Sequence, residues 1–151
     1  MAIITLTSDW GYSDYYVAAV KGTILSYLPD ATIVDITHEI DPFNLPQVGF
    51  TLKNCFRSFP LGTIHIIAVN TVESPENPHV VVKAEGQYFI GTDNGIFSHI
   101  LNDGKFDEAV YIDVPQDSET FNFATRDRFV KVAAMIAHGA AVKYRCTSRE
   151  T

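Results

Sequence analysis

The chain has 151 residues, enough for one domain of ordinary size with its own core. A formal net charge of −7 argues against a nucleic-acid partner, because phosphate binding needs clustered Lys and Arg. No apolar run reaches the ~18 residues of a membrane helix, and the start shows no signal peptide. Cys55 and Cys146 form no CxxC pattern, which is typical of free thiols in a reducing compartment. We therefore expect a soluble, cytoplasmic protein.

The first element predicted is a buried strand, from the apolar run of Ile3, Ile4 and Leu6. A tight polar loop with Asp9 and Asp14 follows it. Ligands bind beyond the carboxyl ends of strands in open α/β sheets, so these carboxylates are site candidates. Two alternatives are that Asp9 only organises the loop and that Asp14 only starts the next helix, where negative charge is favoured. That helix is predicted from its apolar side, which carries Ala19, Val20, Thr23, Ile24 and Tyr27.

A second strand is predicted over residues 32–36, which completes a right-handed, parallel βαβ unit. A polar loop with His38 and Phe43 follows it. The strongest strand signal, residues 63–69, runs into a third polar loop at Asn70. The further predicted elements are a helix over 45–56, a hairpin over 80–84 and 87–90, a short helix over 96–101, a strand over 109–114 and a last helix from Thr125 or Arg126. The fold class is α/β, with a mostly parallel central sheet flanked by helices.

Ten polar or aromatic side chains are expected at one edge of this sheet. One interpretation is a small-molecule site for ribose-like hydroxyls, since carboxylates accept hydrogen bonds from diols. A less favoured one is a metal site of Asp9, His38, Asp93 and Asp127, because no close-spaced ligand motif is present. GxGxxG, P-loop and GxSxG patterns are also absent. The ten side chains are those of Asp9, Asp14, His38, Phe43, Asn70, Glu73, Asn77, Asp93, Asn94 and Thr125.

The run Thr7-Ser8-Asp9-Trp10-Gly11-x-x-Asp14, with Lys21-Gly22 after it, resembles the opening of the S-adenosylmethionine hydrolase and halogenase family. That family includes adenosine-forming hydrolases, the fluorinase and the chlorinase. Further pieces occur in family order over nearly the whole chain. They are Ile33-Val34-Asp35-Ile36-x-His38, Pro42-Phe43, Phe59-Pro60-x-Gly62-Thr63-Ile64-His65, Asp93-Asn94-Gly95 and Arg126-Asp127-x-Phe129 with Ala133-Ala134.

The resemblance implies attack by a nucleophile on the ribose C5′ of S-adenosylmethionine, with methionine as leaving group. By the match, Asp9 would hold the ribose diol and Asp14 would face the methionine amino group. Phe43 stands where an aromatic residue lines the ribose pocket. Thr125 stands where a small residue meets the nucleophile beside a helix N-terminus, where backbone N–H groups favour an anion.

The chain departs from the family where the nucleophile is handled. Hydrolases carry an Asp and an Arg in an Asp-Pro-Gly-Val-Gly-Thr-x-Arg motif, and both positions are Asn here, Asn70 and Asn77. Their His falls at Ala124, and the halogenases have an aromatic residue at Asn70. If the chain is a hydrolase, Glu73 is the carboxylate expected to orient or deprotonate the water. The alternative for Glu73 is a solvated loop charge.

The predicted catalytic residues are therefore Asn70, Glu73 and Thr125. The predicted ligand-binding residues are Asp9, Asp14, Phe43, Asn70 and Thr125, with no metal and no cofactor beyond the substrate. Residues 1–142 are expected to form the adenosyl-ligand domain and 143–151 a polar tail, without the family's second, β-rich domain.

The leading function is a hydrolase that forms adenosine and methionine. The alternatives are a non-catalytic adenosyl-ligand binder and, less favoured, a halogenase-like enzyme. The expected partners are a small adenosyl ligand and further copies of the chain, as a homotrimer by resemblance, with no nucleic acid and no membrane.

Overall fold

The computed structural model describes residues 2–101, 104–112, 123–139 and 144–145. Predictions for Cys146, for the strand end at 113–114 and for most of the polar tail lie outside these ranges. The strands are β1 (Ile3–Ser8), β2 (Thr32–Thr37), β3 (Ile64–Ala68), β4 (His79–Ala84), β5 (Gln87–Thr92), β6 (Glu108–Ile112) and β7 (Tyr144–Arg145). The helices are α1 (Tyr16–Tyr27), α2 (Leu45–Cys55), α3 (Ile96–Ile100) and α4 (Val130–Ala137), with a 3-10 turn at Phe56–Ser58 and a π-helical turn at Thr125–Phe129.

One sheet of seven strands, in the order β2-β1-β3-β5-β4-β6-β7, forms the centre of the fold. The α/β prediction is confirmed. The four strands from β2 to β5 in this order are parallel, whereas β4, β6 and β7 join by antiparallel pairing, so the sheet is mixed. The antiparallel half begins at the predicted hairpin, whose turn residues Glu85 and Gly86 both have positive φ, as a type I′ turn requires.

The carboxyl ends of β1, β2, β3 and β5 lie at the same edge of the sheet because these strands are parallel. The loops that carry Asp9, His38, Asn70 and Asp93 therefore leave from one edge, as predicted. We call this edge the carboxyl edge. β6 also ends here, since it is antiparallel to β4.

Two apolar layers cover the sheet. On one face, α1 and α4 pack on β1 and β3, and on the other face α2 and α3 pack on β3, β4 and β5. Gly49 lets α2 approach α3 closely, because a Cβ at this position would lie 2.1 Å from the His99 Cβ. The predicted face of α1 is wrong in one place: Tyr27 is exposed, and Val17 and Leu28 are the buried residues near the helix ends. No helix in the described part of the chain has both the length and the hydropathy needed to span a membrane.

Candidate functional site

Asp9 lies directly after β1, half-buried at the carboxyl edge. Burial raises the pKa of this carboxyl, and a hydrogen bond with its own backbone N–H lowers it less. Within the described residues its carboxylate has no cation and no donor from another residue. A partly buried carboxylate without a partner is costly. The arrangement therefore suits a ligand that brings hydrogen-bond donors to Asp9.

Three buried threonine hydroxyls at the same edge also lack hydrogen-bond partners in the part of the chain that the structure describes. Thr7 is 1%, Thr92 3% and Thr125 1% exposed. Such groups are rare in folded proteins because an unmade hydrogen bond costs about 1–3 kcal/mol. The side-chain amide of Asn94, two residues after β5, is unpaired as well. Unsatisfied polar groups thus collect where the parallel strands end.

The segment that carries Thr125 is connected to the Asp9 loop by aromatic packing. The ring of Trp10 lies edge-on to Phe123, with centroids 5.5 Å apart, and Tyr16 meets Phe123 at the same separation. Thr125 begins the π-helical turn that continues as α4, and such turns occur frequently at functional sites. Asp9 and Thr125 are therefore parts of one region, although they are more than 100 positions apart in sequence.

Two predicted ligand-binding residues lie on the surface instead. Phe43 is 75% exposed and has a φ of 63°, a conformation that a bulky side chain rarely adopts. Asp14 is also exposed, and its Oδ1 accepts a 2.7 Å hydrogen bond from the Tyr15 N–H just before α1. The structure gives Asp14 the local contact expected of a residue that starts a helix, and a role toward a ligand stays a prediction.

Asn70 is the second residue after β3, and it is half-buried with a φ of 53°. Asn tolerates this left-handed conformation better than most residues, which gives it a backbone role at this position. Its place at the carboxyl edge is the one predicted. Asn77 lies at the tight end of the same loop, where its N–H donates to the Ser74 carbonyl at 3.1 Å.

Glu73 belongs to a charged cluster with Arg128 and His79. Arg128 Nη1 donates to Glu73 Oε2 at 2.7 Å and to His79 Nδ1 at 2.9 Å, and the His79 Nε2–H donates to the Thr71 carbonyl at 2.7 Å. Burial acts to raise the pKa of Glu73, but Arg128 and His79 outweigh it and hold that pKa low. Glu73 is therefore a weak proton acceptor that attaches its loop to the π-helical turn.

His38 is fully buried beside the Asp9 loop and uses both ring nitrogens. Its Nδ1 lies 2.5 Å from Ser8 Oγ, and its Nε2 lies 2.7 Å from Asp35 Oδ1. No nitrogen is left for a metal ion. The described residues contain no group of three or more His, Cys, Asp or Glu side chains that could hold one. The Asp127 side chain lies outside what the structure describes.

A cavity of about 230 Å³ opens beside the same edge, over β4 and β6. Its walls are mostly apolar, with Val80, Val82, Phe97 and Phe106 among them, and Asp93 lies at the strand-end side. Asp9, Asn70 and Thr125 do not line it. We place the candidate site at Asp9 and Thr125 because the partly buried carboxylate and an unpaired buried hydroxyl lie there, whereas the walls of the cavity are mostly apolar.

Sequence reasoning missed several residues that the fold brings to this edge. His79 and Arg128 are 49 positions apart, and Lys21 and Asp35 are 14 apart. No local spacing marks such pairs. Thr92 carried a weak signal, because it follows a predicted strand and precedes the Asp93-Asn94-Gly95 turn.

Comparisons with known proteins show which family the chain resembles. Residues 4–144 match the model of the SAM hydroxide adenosyltransferase N-terminal domain, where SAM is S-adenosylmethionine. The chain is 34% identical to an (R)-S-adenosyl-L-methionine hydrolase of Methanocaldococcus jannaschii over 89% of this chain and 52% of that protein. It is 25% identical to a fluorinase of Nocardia brasiliensis over 91% of this chain and 54% of that protein.

The structure also resembles solved structures. An uncharacterised conserved protein from Thermotoga maritima superposes with a TM-score of 0.83 at 28% identity, over 99% of this chain and 61% of that one. The chain thus spans about half the length of the curated relatives it matches.

Proposed function

We propose that this chain, which belongs to the SAM hydroxide adenosyltransferase family, binds S-adenosylmethionine at the carboxyl edge and supports its hydrolysis to adenosine and methionine. The observation that carries the proposal is the half-buried Asp9 carboxylate without a donor from another residue. A ribose diol offers two adjacent O–H donors, which a single carboxylate accepts with both oxygens. Binding would thus offset the cost of leaving Asp9 unpaired.

The reaction needs little acid–base assistance. Water attacks C5′, the C5′–S bond breaks, and the sulfonium sulfur leaves as the neutral thioether of methionine. The protein's task is to hold the water in line with the C5′–S bond and to exclude other nucleophiles. Thr125 has an unpaired hydroxyl near the start of the helix, where it can donate a hydrogen bond to the attacking water or accept one from it. We assign Thr125 and Asn70 to hold the water.

In this proposal Glu73 positions neighbouring residues and does not act as a general base. Its carboxylate is paired with Arg128, so it retains a proton poorly. The proton released by the attacking water can pass to solvent. Glu73 would orient the loop from Asn70 and, through Arg128, the turn that carries Thr125.

A second candidate is an adenosyl-ligand binder without turnover. The replacement of the hydrolase Asp, Arg and His by Asn70, Asn77 and Ala124 favours it. Both candidates require Asp9, and they differ only in whether adenosine is released. Incubation of the protein with S-adenosylmethionine, followed by chromatography for adenosine, distinguishes them. Light scattering on the same sample tests the expected homotrimer.

The binding step is tested by calorimetry with adenosine on Asp9→Ala and Asp9→Asn. Loss of a charged hydrogen-bond acceptor should weaken binding by about 2–3 kcal/mol for Asp9→Ala, with a smaller loss for Asp9→Asn. Asp30→Asn is the matched control, since Asp30 is an exposed carboxylate after α1, beyond the opposite end of the sheet. Unchanged affinity in both Asp9 variants would contradict the proposal.

A further inference from the structure

We infer that His38 is a positioning residue that fixes the turn from Ser8 to Gly11, and through it the Asp9 carboxylate, in the conformation that binds ligand. Lys21 and Asp35 in turn fix His38. The inference rests on the ribose-binding role proposed for Asp9. In this inference a chain of four side chains places the Asp9 carboxylate, and it runs from the partly exposed Lys21 and Asp35 to the buried His38 and Ser8.

The chain of contacts is continuous from the helix to the loop. Lys21 Nζ on α1 lies 2.5 Å from Asp35 Oδ2 on β2. The other oxygen of Asp35 lies 2.7 Å from His38 Nε2, and His38 Nδ1 lies 2.5 Å from Ser8 Oγ at the end of β1. Three separate elements are therefore joined through one imidazole, which is itself fully buried.

The proton positions follow from the partners. Burial acts to raise the pKa of Asp35, but Lys21 and His38 outweigh it and lower that pKa, so Asp35 is ionised and can only accept. His38 Nε2–H must then donate to it. When the imidazole is neutral, Nδ1 is left as an acceptor and the Ser8 O–H donates to it. The Ser8 oxygen remains able to accept the Trp10 N–H at 3.4 Å.

Backbone hydrogen bonds also join the turn from Ser8 to Gly11 to the His38 segment. The Gly11 N–H donates to the His38 carbonyl at 2.6 Å, and the Ile40 N–H donates to the Ser8 carbonyl at 3.3 Å. The Trp10 ring stacks on the imidazole, with an interplanar angle of 9°. Each neighbour of Asp9 is thus attached to the His38 segment, whereas Asp9 has no such contact. This is the pattern expected when a carboxylate is placed by its neighbours and kept open for a ligand.

Ser8, His38 and Asp35 have the residue types of a hydrolytic triad, but the geometry does not support nucleophilic catalysis by Ser8. Its side chain is only 1% exposed, and its hydroxyl lies between His38 and the Trp10 N–H. A nucleophile must reach its substrate. The three residues therefore position a turn.

Ser8→Ala is the central variant, and the chain supplies a matched control on the same strand. Thr5 Oγ1 lies 2.7 Å from His65 Nδ1, so Thr5→Val also removes a buried hydroxyl that a histidine accepts from. We expect Ser8→Ala to weaken adenosine binding by about 5- to 10-fold, the effect of one hydrogen bond. Thr5→Val should lower the Tm but leave the affinity of the folded protein unchanged.

Two variants of His38 sharpen the test. His38→Asn can keep an amide oxygen near the Nδ1 position, so it should retain more affinity than His38→Ala. If both lower the Tm equally and bind adenosine equally, His38 has only a structural role and the inference is overturned.

The double variant Ser8→Ala/Asp9→Ala separates this inference from the proposed function. Ser8→Ala should cause no further loss of adenosine affinity once Asp9 is absent, because it acts through Asp9. If Asp9→Ala alone leaves affinity unchanged, the proposed function fails. If Asp9→Ala weakens binding and Ser8→Ala does not, the positioning role of His38 fails and the proposed function stands.

Discussion

Two buried histidines of the same sheet show how differently its interior and its carboxyl edge are built. In the interior, His65 accepts from Thr5 at 2.7 Å and donates to Gln87 Oε1 at 2.6 Å. The Gln87 amide then donates to the carbonyl oxygens of Phe56 and Phe59 at 2.9 and 3.3 Å. Every side-chain group of this network finds a partner inside the protein.

At the carboxyl edge the corresponding network of His38 is also complete, but the same edge carries groups that lack partners. Thr7, Thr92 and Thr125 carry buried hydroxyls without partners in the described chain, and the Asp9 carboxylate receives no hydrogen bond from another described residue. The interior network thus serves stability, whereas the edge leaves hydrogen-bonding capacity for a ligand. Substitutions in the two regions should separate these two properties.

The largest effect is expected in the interior. Gln87→Leu removes a donor and an acceptor, so His65 Nε2 and the carbonyls of Phe56 and Phe59 lose their partner. Leaving such buried groups unsatisfied should lower the free energy of unfolding by about 2–4 kcal/mol, measured by urea denaturation. Adenosine affinity of the folded fraction should not change.

Gln47→Leu is the matched control for Gln87→Leu. Among the described residues, the Gln47 side chain accepts only from the exposed Asp41 N–H, at 3.0 Å, and water can replace it there. The loss in the free energy of unfolding should be well below the loss caused by Gln87→Leu. Equal costs at the two sites would show that the interior network is not the stabilising feature described above.

A smaller effect is expected on the pH dependence of the folding stability. Burial lowers the pKa of His65 and of His79 from 6.5, the value for an accessible histidine. The unfolded chain therefore binds more protons than the folded chain just below pH 6.5, and stability falls as the pH drops from there toward the folded pKa values. Thermal unfolding between pH 7.5 and 5 should show this decline.

The variant His65→Gln tests the origin of that decline, because its amide can still hydrogen-bond but cannot titrate. We expect a shallower dependence of Tm on pH, with the remaining slope due to His79. His138→Gln is the control, since His138 is exposed after α4. If His65→Gln keeps the full slope, His65 is not buried as a neutral group.

The difference between the two regions also explains what could be predicted from the sequence. Strands such as Ile64–Ala68 were predictable because apolar runs report burial directly. The carboxyl edge was predictable as a place, since Asp9 and Asn70 follow strands. The partners were not, because His38 with Ser8 and Arg128 with Glu73 meet only through the order of strands and the packing of the last helix.

Local conformation was the other part that the sequence did not reveal. Phe43 is aromatic and follows a strand, yet it has a positive φ and its ring is exposed. The turn at Thr125 is π-helical, and its residues carry no periodicity that separates it from the helix it begins. Glu73 was predicted beside the strand end, but its low pKa depends on Arg128, which is distant in sequence.

The smallest expected effect is also the one that compares the two regions most directly. Asp9 has its pKa raised by burial, so its charged form is less favourable in the folded chain than in the unfolded chain. A carboxyl of this kind lowers stability at pH 7, and that cost disappears as the pH falls through its folded pKa. Asp9→Asn keeps the shape and removes the charge. Without ligand, its Tm at pH 7 should therefore rise by roughly a degree or two, the shift that a fraction of 1 kcal/mol causes in a domain of this size.

Asp35→Asn is the opposite case, because Lys21 and His38 hold the pKa of that carboxyl low and its charge contributes to stability above the unfolded value of 3.8. Its Tm at pH 7 should fall. Saturating adenosine should raise the Tm of the parent protein and reverse the advantage of Asp9→Asn, since ligand binds only the folded state and needs the carboxylate. A lower Tm for Asp9→Asn without ligand would show that Asp9 stabilises the fold. The carboxyl edge would then be a closed network like the interior one, and it would not be held open for a ligand.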